Sequence, residues 1–175
     1  MGKIHKTTVT HLELLSDPGT RAPLPRGKFA LIRAERPPVH FYRYLYDVIG
    51  RSHVWVNRKK LSDDALAEII QNPQVEIYVL SKAGVPAGFF ELDFRKMPQA
   101  ELSFLGVMPE FQGQGFGRFL LCEAIEAAWS RGPYRLIVQT CTLDHPRALP
   151  LYQRHGFRPY ARVETELEEP DGPPL

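Results

Sequence analysis

The chain has 175 residues, 43% hydrophobic and 24% charged, which suits one globular domain with a sizeable core. A net charge of only +2 calls for no nucleic-acid partner, and no apolar run reaches the roughly 18 residues of a membrane span. Met1-Gly2-Lys3-Ile4-His5 leads into no apolar h-region, Lys6 stands where myristoylation needs Ser or Thr, and Cys122 and Cys141 have neither metal nor disulfide spacing; a cytoplasmic setting with no membrane partner and no metal is expected.

In chain order, residues 9–14 predict a first strand, residues 16–28 a turn-rich loop, and residues 29–33 a short second strand. Residues 39–49 are aromatic and predict a helix that starts after Pro37 and Pro38 and stops at Gly50. Arg58-Lys59-Lys60 reads as a solvated basic loop. Ser62 is the expected N-cap of a second helix, with Asp63 and Asp64 in its first turn, ending before Pro73. Residues 75–81, 85–94 and 100–107 predict three strands, the first pair joined through Lys82-Ala83-Gly84. From 115 to 130, Phe116, Leu120, Ala124 and Ala128, flanked by Leu121, Ile125 and Trp129, give a helix with a wide buried stripe. A strand at 136–140, a short helix at 146–154 and a strand at 157–167 follow. The order predicts an α/β (α+β) fold with a mixed sheet.

Between the third of those central strands and the striped helix lies Gln112-Gly113-Gln114-Gly115-Phe116-Gly117. Glycines at alternate positions free the backbone N–H groups of a turn, and a helix N-terminus with its positive dipole end follows at once, which together make a receptor for phosphate oxygens. The dinucleotide fingerprint G-x-G-x-x-G does not fit, because the third glycine comes one residue early and Arg118 takes the last position. The mononucleotide loop does not fit either, because no Gly-Lys-Ser or Gly-Lys-Thr occurs.

The segment resembles the acyl-CoA loop Q/R-x-x-G-x-G/A of the GNAT N-acetyltransferases, with Gln112, Gly115 and Gly117 in its fixed positions. Downstream, Ala148-Leu149-Pro150-Leu151-Tyr152-Gln153-Arg154-His155-Gly156-Phe157 is similar to that family's A-x-x-L-Y-x-x-x-G-F segment. The resemblance is strong over about residues 74–160. It implies one domain, 1–167, with a splayed mixed sheet flanked by helices, residues 1–73 on the acceptor side and 74–160 as the acyl-CoA core. Residues 168–175 are then a flexible acidic, proline-rich tail.

The implied reaction is acetyl transfer from acetyl-CoA to a primary amine in a ternary complex. The alternatives are an acyl-CoA-binding or sensing module without catalysis, and an interaction domain that pairs as a homodimer through the last strand or the aromatic helix. Acetyl transfer to an amine needs a proton acceptor, since an ordinary amine with a pKa of about 10.4 is protonated at neutral pH. Glu101, eleven residues before Gln112, matches the glutamate of the family's histone-type members, with Glu91 and Asp93 in reserve. Tyr152 matches the family's general acid. Backbone groups of Leu105, Gly106 and Val107 are expected at the thioester and pantetheine arm, with Gly106 allowing close approach, and those of Gly113, Gln114, Gly115, Phe116, Gly117 and Arg118 at the pyrophosphate. His145 stands where the family often has Asn, seven residues before Tyr152, and is a candidate cofactor contact. Tyr42, Tyr46, His53 and Trp55 are candidate acceptor-site residues, while Phe41 and Tyr44 are assigned to helix packing. The modest charge favours a small-molecule amine over a protein lysine or N-terminus.

Overall fold

The computed structural model describes residues 2–171. Seven strands, β1 (Lys3–Leu14), β2 (Phe29–Arg33), β3 (Val75–Lys82), β4 (Val85–Asp93), β5 (Gln99–Val107), β6 (Arg135–Cys141) and β7 (Arg158–Glu169), form one sheet in the order β2-β3-β4-β5-β6-β1-β7. Four helices, α1 (Val39–Gly50), α2 (Asp63–Ile70), α3 (Phe116–Trp129) and α4 (Ala148–Arg154), flank it, with 3-10 turns at Arg51–His53 and Pro109–Phe111. None of these helices is long and apolar enough to cross a membrane.

Each sheet face has its own core. On one, α3 buries Phe119, Leu120, Leu121 and Ile125 against Leu80, Phe90, Leu92 and Leu102. On the other, α1 and α2 bury Tyr42, Leu45, Tyr46, Ile49, Leu66 and Ile70 against Ile77, Val79 and Phe89. The α1 stripe 42, 45, 46, 49 follows the helical i, i+3, i+4, i+7 spacing. Tyr42 is therefore a core residue, 0% exposed, rather than part of an acceptor pocket, whereas Tyr44, assigned above to packing, is 44% exposed.

The Ser62 cap forms as expected: its side chain accepts a hydrogen bond from the Ala65 N–H at 3.2 Å. Ser62→Ala should cost about 1 kcal/mol in chemical unfolding, because it orphans one N–H of α2.

β1 is longer than expected. It starts at Lys3 and lies between β6 and β7, antiparallel to both, with Val9 opposite Cys141 and Lys3 opposite Glu169. Of its extra residues, Lys3 to Thr8, Thr7 alone is buried and it is not apolar, so no hydrophobic period of two marks them. β7 also runs two residues past the expected end, taking Glu168 and Glu169 into the ladder with β1. Residues 172–175 of the expected tail lie outside the described residues.

β5 and β6 create the opening that holds the site. They lie parallel and pair only from Gln99 opposite Arg135 to Leu102 opposite Val138. Beyond that, residues 103–107 and 139–141 diverge. A bulge marks the divergence: on β4, Glu91 faces Phe104 and Leu92 faces Leu102, so Ser103 is an extra residue. A bulge bends its strand and strengthens the local twist. β5 stays paired to β4 as far as Val107, so its other edge offers unpaired peptide groups to the gap.

Candidate active site

A cavity of about 840 Å³ fills this gap. Of the residues expected on the cofactor side, Leu105, Gly106, Val107, Gln112, Gly113, Gly115, Phe116, Gly117, Arg118 and His145 all line it, as does Tyr152. Gln114 instead lines a smaller recess beside the loop. Of the acceptor-side candidates, Tyr46, His53 and Trp55 line the cavity and Tyr42 does not. Glu101 is not in the wall; Leu102, Ser103 and Phe104, the next residues of β5, are.

The glycine loop is held open by backbone conformation. Gly115 is the N-cap of α3 with φ 84°, and Gly113 has φ 79°, both in the left-handed region that costs other residues about 1–2 kcal/mol. A Cβ at either would touch nothing, so the glycines serve the shape of the turn and the freedom of its N–H groups. Gly106 differs from expectation. A Cβ there would fall 2.3 Å from Ile49 Cγ2 and 3.2 Å from the Trp55 ring, so its bare backbone makes room for protein side chains.

Two cations come to the loop from elsewhere. The turn-rich segment 16–28 returns to the start of α3, where Pro23 to Arg26, Lys82 and Arg118 border the smaller recess. The Lys82 ammonium donates to the Arg26 carbonyl and lies 5.5 Å from the centre of the Phe116 ring. No local motif marks Arg26 or Lys82, because they reach the loop only through the β2–β3 pairing.

Tyr152, on α4, is 6% exposed and packs edge-on against Phe157 with ring centres 5.7 Å apart. Its hydroxyl makes no hydrogen bond among the described residues. Burial, and secondarily the charge of Asp144, pushes the phenol well above its ordinary range, so it keeps its proton.

Opposite Tyr152, the loop between α1 and α2 forms the other wall. Val54 has φ 56° and ψ 45°, a left-handed conformation unusual for a β-branched residue. That reversal sends its two neighbours to the β6–α4 loop. His53 Nδ1 lies 3.3 Å from the Leu143 carbonyl, and Trp55 Nε1–H donates to Asp144 Oδ1 at 3.2 Å. Asp144 Oδ2 accepts from Thr140 Oγ1 at 2.7 Å and from the Cys141 N–H at 3.0 Å. Asp144 thus ties two loops across the cavity, and sequence spacing gives no sign of it, since Trp55 lies 89 residues away. The His53 and His145 rings are 5.9 Å apart.

The basic run differs from expectation. Arg58 is mostly covered, donating from Nη2 to Glu91 Oε2 at 2.7 Å with its guanidinium 5.3 Å from the centre of the Phe104 ring. Tyr42 donates to the other oxygen of Glu91 at 2.6 Å, and Glu91 itself is 0% exposed. Lys59 pairs with the buried Asp47 at 2.8 Å. Of the reserve carboxylates, Glu91 is therefore held by Tyr42 and Arg58, and Asp93 by Arg95 at 2.7 Å. Glu101 faces Asp93 across the strand pair and makes no side-chain hydrogen bond among the described residues. Burial, then the charge of Asp93, raises its carboxyl above the ordinary range. Among the described residues, no group of three or more His, Cys, Asp or Glu is placed to hold a metal ion.

Comparison with known proteins agrees with this architecture. The profile of the acetyltransferase (GNAT) family matches residues 28–157. A Bacillus subtilis protein provisionally named ribosomal protein bS18-alanine N-acetyltransferase is 29% identical over 97 residues, 55% of this chain and 63% of that protein. A mycothiol acetyltransferase of Jonesia denitrificans is 43% identical over 72 residues, 41% of this chain and 22% of that protein. The chain therefore spans less than two thirds of either relative's length. Among solved structures, the aminoglycoside N-acetyltransferase AAC(6')-Iy in complex with CoA superimposes with a TM-score of 0.58 at 22% identity, covering 81% of this chain and 95% of that one. With the family profile matching most of its length, two named acetyltransferase relatives and a shared fold, the chain belongs to the acetyltransferase (GNAT) family.

Proposed function

We propose that the chain transfers an acetyl group from acetyl-CoA to a primary amine, directly, within a ternary complex. One observation carries this reading: a single cavity connects the open N–H groups of the glycine loop, the unpaired edge of β5 and Tyr152. The N–H groups of the Gly113–Arg118 turn and the α3 N-terminus suit the pyrophosphate, with Arg118 and Lys82 supplying charge. The free edge of β5 at Leu105 to Val107 suits the pantetheine amides and an oxyanion. Tyr152 holds a proton for the leaving sulfur. A small-molecule amine is the preferred acceptor, because the His53–Leu143 and Trp55–Asp144 contacts bridge the acceptor side of the cavity.

The test begins with binding. Acetyl-CoA at 100 times its dissociation constant should stabilise the protein by about 2.7 kcal/mol, read as a rise in melting temperature. Gly115→Trp should abolish that rise, since it forces an L-residue to φ 84° and sets an indole over the phosphate site. Thiol release across a panel of small amines and lysine or alanine peptides then reads turnover. Stabilisation with turnover on no acceptor would leave an acyl-CoA-binding module. The absence of stabilisation at millimolar acetyl-CoA would overturn the reading.

A further inference from the structure

We propose that His53 is the catalytic base that takes the proton from the acceptor amine. The proposal rests on the acetyl-transfer reading above and assigns the one role that the carboxylates chosen from the sequence leave open.

Among the described residues, three carboxylate or imidazole groups line the cavity: His53, Asp144 and His145. Asp144 has both oxygens engaged by Trp55, Thr140 and the Cys141 N–H. His145 accepts the Arg147 backbone N–H on Nδ1 at 3.1 Å. A backbone N–H can only donate, so in the neutral ring the proton of His145 sits on Nε2, and the ring can donate but not accept there. Burial, then the neighbouring His53 and Arg147, lowers its proton affinity and keeps it neutral. His53 has the opposite arrangement. Its Nδ1 faces the Leu143 carbonyl, which can only accept, so the proton sits on Nδ1 and Nε2 carries the lone pair. The two rings are thus fixed in complementary tautomers 5.9 Å apart, and His53 alone of the three offers a free basic atom. The left-handed Val54 that aims His53 here is backbone strain kept at a working position.

The step balances as follows. His53 Nε2 takes one proton from the ammonium form of the acceptor, and the neutral amine nitrogen bonds to the thioester carbonyl carbon. The carbon–sulfur bond breaks with its electron pair going to sulfur, which takes the Tyr152 hydroxyl proton. The second proton lost by nitrogen restores Tyr152, and His53 releases its proton to solvent. The charged and titratable groups that share the cavity wall with His53 are Asp144, His145 and Arg147 on the β6–α4 loop, Tyr152 and Arg154 on α4, Tyr46 on α1, Arg118 on α3 and Cys141 on β6.

The experiment compares wild type, His53→Asn and His53→Ala on an amine that wild type acetylates. Asn keeps a donor for the Leu143 carbonyl but has no basic nitrogen, so it separates the base from the loop contact. Both variants should lose on the order of 10²-fold in kcat or more, with KM for acetyl-CoA unchanged. The fall of kcat/KM at acid pH in wild type should flatten in both, and added imidazole should restore His53→Ala saturably. Rates within about threefold of wild type for His53→Asn, or an acid limb that survives in it and vanishes in Glu101→Gln, would overturn the assignment while leaving acetyl transfer intact. Wild type that binds acetyl-CoA but acetylates no amine would instead remove the reaction itself, and the base with it.

Discussion

Glu91→Ala is expected to destabilise the protein by about 3–5 kcal/mol, the cost of leaving a buried charge without its partner. The charge left behind is Arg58, whose side chain is 15% exposed and lies over the Phe104 ring. Arg58 cannot relieve the loss by shedding its proton: burial would loosen that proton, but Glu91 holds it more firmly than usual in the intact fold, and a guanidinium stays charged in any case. Tyr42 loses its acceptor as well. Burial first, and then Glu91, raises its hydroxyl above the ordinary range, so it remains a donor that needs a partner. Glu91→Gln, whose single oxygen can still accept from Arg58 while its NH2 donates to the Tyr42 hydroxyl, should cost less. Glu91→Leu combined with Arg58→Met should recover much of the loss, because replacing a buried pair by apolar residues of similar volume is often near neutral. Urea unfolding measures all three. A loss below about 1 kcal/mol for Glu91→Ala would mean that water reaches Arg58. The variant should also weaken the site, since the Arg58 backbone N–H donates to Tyr46 and the same loop carries His53 and Trp55.

What the sequence revealed of this site was the part built from neighbours in the chain. The glycine loop was legible because left-handed Gly113 and Gly115 and the start of α3 are consecutive, and Tyr152 because its segment is a single short helix. The fold class and most strand positions followed from local periodicity. Most of what stayed hidden has one cause: a partner distant in sequence. Arg58 looked solvated because Glu91 lies 33 residues on, and the Trp55–Asp144 tie was hidden because Asp144 lies on another loop. Tyr42 is a different case. Its place in the 42, 45, 46, 49 stripe was in the spacing all along, and the abundance of aromatics around it obscured the core. β1 could not be placed from its own residues, since its buried threonines gain their surroundings only when β6 and β7 close on either side.

Tyr152→Phe should lower kcat on the order of 10²-fold or more while leaving KM for acetyl-CoA and thermal stability nearly unchanged. The separation follows from the geometry. The ring supplies the packing on Phe157, and Phe keeps it. The hydroxyl has no hydrogen-bond partner among the described residues, so the folded state loses little when it goes. A loss in kcat with KM preserved is the signature of an interaction made only as the reaction proceeds, here a proton delivered to the departing sulfur. Burial and the nearby Asp144 keep the phenol protonated far above neutral pH, so kcat should show no basic limb due to Tyr152 through the ordinary assay range. An acceptor whose amine is already neutral would still need that proton, so the deficit should persist with weakly basic amines, whereas a His53 deficit should shrink with them. A Phe variant within about twofold of wild type would show that water protonates the sulfur and that Tyr152 serves only to pack α4 against the sheet.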